Sequence, residues 1–99
     1  MCYVKKYYSF KSISGMNVME IEIDEMKCII KSINGIQPMS KQISCVSSCF
    51  ATEYIERYFA ISDCKTYIVD LKIVNDIRFG MHCEIVGIYE KLIMETKSA

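Results

Sequence analysis

Apolar and polar positions alternate with a period of two along most of this chain. Over Val18 to Ile23, Met19, Ile21 and Ile23 share one face, and Val18, Glu20 and Glu22 share the other. That is the signature of a half-buried strand. Lys27 to Ile33 repeats it, with Cys28 and Ile30 opposite Lys27 and Lys31. Thr66 to Ile73 gives the clearest strand, with Tyr67, Val69, Leu71 and Ile73 on one side. Met81 to Leu92 sets Cys83, Ile85, Gly87 and Tyr89 against Glu84, Val86 and Ile88. Tyr3 to Ser12 interleaves aromatics with lysines, and Gln42 to Val46 reads as a short strand. Turn signals punctuate these runs at Ser14-Gly15, Asp24-Glu25, Asn34-Gly35, Asp63-Cys64-Lys65 and Asn75-Asp76. Met1–Cys2 and Glu95–Ala99 read as tails.

Residues 53 to 61 fit two templates. As a helix, Tyr54, Ile55, Tyr58 and Phe59 form one apolar stripe behind Thr52 as N-cap. As a strand from Arg57 to Ser62, Phe59 and Ile61 point inward and Tyr58 outward. The strand is favoured for Arg57–Ser62, with a helical turn allowed before it. Gly87 inside the last run predicts a bulge or bend, as at a barrel corner. The expected fold is therefore mainly β, a small barrel of about five strands. The alternative is an α+β domain with one helix near residues 52–62 packed on an antiparallel sheet.

The chain has 99 residues. That predicts one domain over residues 1–99 and excludes a dinucleotide fold or TIM barrel, which need far more chain. With 52% hydrophobic residues it is not a disordered polymer. Twelve basic and twelve acidic residues leave no formal net charge. A free-standing nucleic-acid binder usually carries a basic excess, so neutrality weakens that reading and leaves room only for a local basic patch. Cysteines stand at 2, 28, 45, 49, 64 and 83. Met1 to Lys6 lacks the apolar core of a secretory signal, which predicts reduced thiols in an intracellular setting, cytoplasmic or nuclear. Gln42 to Thr52, the longest uncharged stretch, is too polar to span a membrane, so no membrane contact is expected.

The run Arg57-Tyr58-Phe59-Ala60-Ile61-Ser62-Asp63, then Lys65 to Leu71, then Ile77 to Tyr89 with its internal glycine, resembles the central part of an OB-fold. It is similar to that of the small and middle subunits of replication protein A and of telomere-capping complexes. The likeness covers residues 57–90. It departs from the family at Cys64, where a glycine usually follows the turn, and only about ten residues follow Tyr89. The resemblance implies an OB-like barrel and a non-catalytic subunit of a single-stranded-DNA-binding or genome-maintenance complex.

Candidate chemistry is sparse. Cys45, Cys49, His82 and Cys83 have the wrong spacing for a zinc site, and adjacent strand residues face opposite ways. No orienting group marks a Cys–His nucleophile, and no phosphate loop or nucleophile elbow occurs. No enzyme, metal or cofactor is expected. Single-stranded nucleic acid is bound where rings stack bases and cations follow phosphates. Arg57, Tyr58, Lys65, Tyr67 and Arg78 are the candidates for that role, although Tyr67 equally suits a core. Lys5, Lys6, Tyr7, Tyr8, Glu20 and Glu22 are the candidate protein contacts, although such charge rows are most often simply the wet face of a strand. The high apolar fraction also allows self-association. The competing expectation is a small virus- or phage-encoded protein that binds and inhibits another protein.

Overall fold

A computed structural model describes residues 3–12 and 14–92. The two tail readings lie outside the described residues. Seven strands follow one another: β1 (Tyr3–Ser12), β2 (Gly15–Asp24), β3 (Ile29–Ile33), β4 (Met39–Ser47), β5 (Ala51–Ser62), β6 (Lys65–Asp76) and β7 (Gly80–Leu92). They form two antiparallel sheets of neighbours, β1-β2-β3 and β4-β5-β6-β7. The expectation of a mainly β chain holds; among the described residues no ladder joins the two sheets into a closed ring, and seven strands stand where about five were expected.

Local chemistry explains the hairpins. Asn34 (φ 50°) and Gly35 (φ 77°) take successive left-handed conformations, as a tight two-residue turn requires. Across that turn Ile33 and Ile36 exchange two backbone hydrogen bonds of 2.9 Å. The Asn34 side-chain oxygen also accepts from the Glu20 N–H at 2.9 Å, tying the turn to β2. Asp24 Oδ1 accepts from the N–H groups of Met26 and Lys27, both at 3.1 Å, and so closes the β2–β3 turn.

Period-two burial then builds one core between the sheets. Phe10, Met19, Ile21, Ile23, Ile30 and Ile33 come from the smaller sheet and Cys28 from its β2–β3 turn; Tyr58, Ala60, Val69, Leu71 and Ile73 come from the larger. Residues 51 to 62 are strand throughout, paired with β6 from Ala51↔Asp76 to Ser62↔Lys65, so the helix near 52–62 does not form. The faces of β5 are the reverse of the expectation. Tyr58 is buried and Ile61 is exposed, because Tyr58 is opposite Val69 on the side the smaller sheet covers.

The bulge predicted at Gly87 is present. Pairing with β6 steps from Gly87 to Ile85, leaving Val86 without an opposite residue. The extra residue switches faces along β7: Cys83, Ile85 and Ile88 pack on the core, whereas Gly87 and Tyr89 align with Asp70 and Ile68 on the outer face. The expected grouping of Gly87 and Tyr89 with Cys83 and Ile85 therefore fails. A side chain at Gly87 would meet Tyr89 Oη at 2.8 Å, so the Tyr89 ring occupies the space the glycine leaves.

Candidate protein-binding end of the larger sheet

The buried apolar residues of β6 end at Ile73, so the end of the larger sheet that carries Asp76 and Gly80 extends past the core. At that overhanging end the β4–β5 and β6–β7 turns lie side by side, joined by a 2.9 Å bond from the Ile77 N–H to the Phe50 carbonyl. The β4–β5 turn is closed by Ser48, whose N–H donates to the Ala51 carbonyl at 2.8 Å. These two turns carry large apolar side chains in the open. Phe50 is 51% exposed, Ile77 78% and Phe79 77%. Val46, on the adjoining edge strand, is also exposed.

Arg78 organises this end. Its guanidinium lies over the Phe50 ring at 4.5 Å and over the Phe79 ring at 5.0 Å. Asp76, itself buried, fixes it from behind. The Arg78 backbone N–H and Nε donate to Asp76 Oδ1 at 2.7 and 3.1 Å, and Nη2 donates to Oδ2 at 3.0 Å. These bonds hold the Asp76 carboxyl down at about 2, the Arg78 side chain contributing most and its backbone N–H next. The result is a preset planar cation between two rings, its charge matched by one carboxylate. Arginine and aromatic residues are enriched at protein interfaces, and a few such residues often dominate binding.

The other residues expected to contact nucleic acid do not gather with Arg78. Arg57 is on the outer face of the larger sheet, donating to Asp70 through Nε at 2.8 Å and Nη2 at 2.9 Å, with Tyr89 stacked 5.9 Å away. Tyr58 is only 5% exposed, and burial pushes its hydroxyl above its ordinary range. Tyr67 is half-buried against the core. Lys65 pairs with Glu90 at 3.7 Å.

The expected protein-contact residues do share one region, the smaller sheet. Lys5 pairs with Glu20 at 3.5 Å, and the Tyr7 hydroxyl donates to the same carboxylate at 3.5 Å. Lys6 reaches Glu25 at 3.3 Å, Glu22 is paired in register with Lys5, and Tyr8 packs on the core. Cross-strand partners thus satisfy much of this row's charge. Sequence reasoning missed Phe50 and Ile77. Their signal was available, since both are large apolar residues inside turn segments, where polar residues are usual.

Elsewhere, a groove of about 790 Å³ runs beside β3, with Tyr54, Glu56 and Tyr58 of β5 among its lining and Lys27 and Lys31 on the smaller sheet's side. Among the described residues no group of three or more His, Cys, Asp or Glu could hold a metal ion. Cys83, packed against the core beside the Cys28 thiol, is pushed up to about 12, mainly by burial, and so stays protonated at neutral pH. Among the described residues no helix is long and apolar enough to cross a membrane. No protein-family model, curated protein or solved structure matches the chain.

Proposed function

We propose that this chain is a non-catalytic interaction module that binds another protein through the overhanging end of its larger sheet. The carrying observation is the Asp76–Arg78 unit held between Phe50 and Phe79, with Ile77 open beside it. An apolar patch on a charged surface marks a contact site more often than it marks leftover core. The rigid guanidinium adds directional hydrogen bonding at little entropic cost. Such an end would serve either setting suggested by the sequence. In a single-stranded-DNA-binding or genome-maintenance complex, it would dock the subunit on its neighbours. In a small virus- or phage-encoded inhibitor, it would cover the target. Neutral overall charge and the Asp76 carboxylate both favour a protein over a phosphate backbone as the ligand.

Affinity capture with the purified chain, repeated with Phe79→Ser and Arg78→Ala, tests this. The expected result is a specific protein captured by the wild type and lost by both variants, with an unchanged circular-dichroism spectrum. In parallel, fluorescent oligo-dT is titrated at low and moderate salt. Salt-sensitive oligo-dT binding that disappears in Arg78→Ala would move the function to nucleic acid, because the same ring–cation–ring arrangement can stack bases.

A further inference from the structure

Strand edges offer unpaired backbone groups, and proteins usually guard them. Three of the four sheet edges here are guarded. β1 carries Lys5, Lys6 and Lys11. β3 has only five residues, and Ile33 is already paired with Ile36. β7 carries Glu84, Glu90 and Lys91 and has β1 lying against it. The fourth edge, β4, differs. All nine of its residues are exposed, including Met39, Ile43, Cys45 and Val46, and Lys41 is its single charge.

We infer that β4 pairs antiparallel with β4 of a second copy of this chain, joining two four-stranded sheets into one of eight. The bulge in β4 makes the strand match itself. Pairing with β5 shifts between Gln42 and Ser44, so Met39, Lys41, Ser44 and Val46 share the outer face while Ser40, Gln42, Cys45 and Ser47 share the inner. A twofold axis between Gln42 and Ile43 therefore sets outer residues against outer and inner against inner. Met39 meets Val46, Ser40 meets Cys45 and Lys41 meets Ser44. No like charges are placed opposite each other, and the chain's zero net charge adds no long-range repulsion. The exposed apolar residues Met39 and Val46 are covered as a cross-strand pair. Because the other edges are guarded, association closes at two copies and does not run on into a fibre.

The test is sedimentation of the whole chain from micromolar to near-millimolar concentration. The expected result is a doubling of the 11.5 kDa mass, abolished by Val46→Lys, which sets a cation in the apolar pair. A wild-type chain that stays monomeric across the range overturns the proposal, as does a Val46→Lys chain that is folded and still dimeric. Should Val46→Lys fail to fold, Ser40→Cys serves instead. Mild oxidation should then link the introduced thiol to Cys45 of the second copy, read by peptide mass spectrometry; absence of that link overturns the proposal. Phe79→Ser, at the partner-binding end, should leave the dimer intact, which separates failure of this inference from failure of the proposed function.

Discussion

Leu71 and Phe79 are eight positions apart on the same hairpin and have opposite fates. Leu71, in the middle of β6, is fully buried against the smaller sheet; Phe79, at the β6–β7 turn, is largely exposed. Both are strongly apolar, so hydrophobicity does not separate them. Reach does. At roughly 3.3 Å per residue, a twelve-residue strand extends about 40 Å and a five-residue strand about 17 Å. The smaller sheet, with strands of ten, ten and five residues, buries β6 as far as Ile73 and leaves the turn after Asp76 open. The covered middle is spent on stability, and the uncovered end remains for recognition.

Three substitutions probe that contrast, in falling order of effect. Leu71→Ala leaves a cavity in the covered middle and should cost about 2–5 kcal/mol in urea unfolding, a large share of the stability of a domain this size. A cost near that of a surface change would mean that the middle is not the core. Asp76→Asn acts at the junction between the two regions. The folded carboxyl is held at about 2 against an ordinary 3.8, so its ionised form stabilises the fold. That stabilisation is complete above 3.8 and is lost as pH falls towards about 2. Urea midpoints across this interval should fall for the wild type and fall less steeply for Asp76→Asn; parallel curves would remove Asp76 from the account. Phe50→Ser, at the open end, should change stability by no more than about 0.5 kcal/mol, as is usual for surface positions. A larger loss would show that the ring contributes to folding and is not held free for a partner.

Much of the fold was legible in the residues themselves. Alternation marked Val18–Ile23 and Thr66–Ile73 as strands, because one side of a strand must leave water while the other stays wet. Asn34-Gly35 announced its turn through the backbone conformations that these two residues tolerate. Gly87 announced a bulge. Face assignment was less legible at Tyr58 and Ile61, since Arg57–Ser62 carries apolar side chains on both faces and only the position of the smaller sheet selects between them. The candidate site was legible least. Arg78 and Phe79 stood out as a basic and aromatic pair, but Phe50 lies far off in sequence, and a backbone bond between two turns brings it over the same guanidinium.

From its order of residues alone, the chain is committed to strands, tight turns and a core of alternate side chains, because these follow from local sterics and the period of the pleat. Tertiary structure decided the rest: two sheets in place of a ring, Tyr58 in place of Ile61 inside, and one end and one edge of the larger sheet left bare. Those outcomes depend on how far one sheet extends over another, a distance that no local pattern encodes.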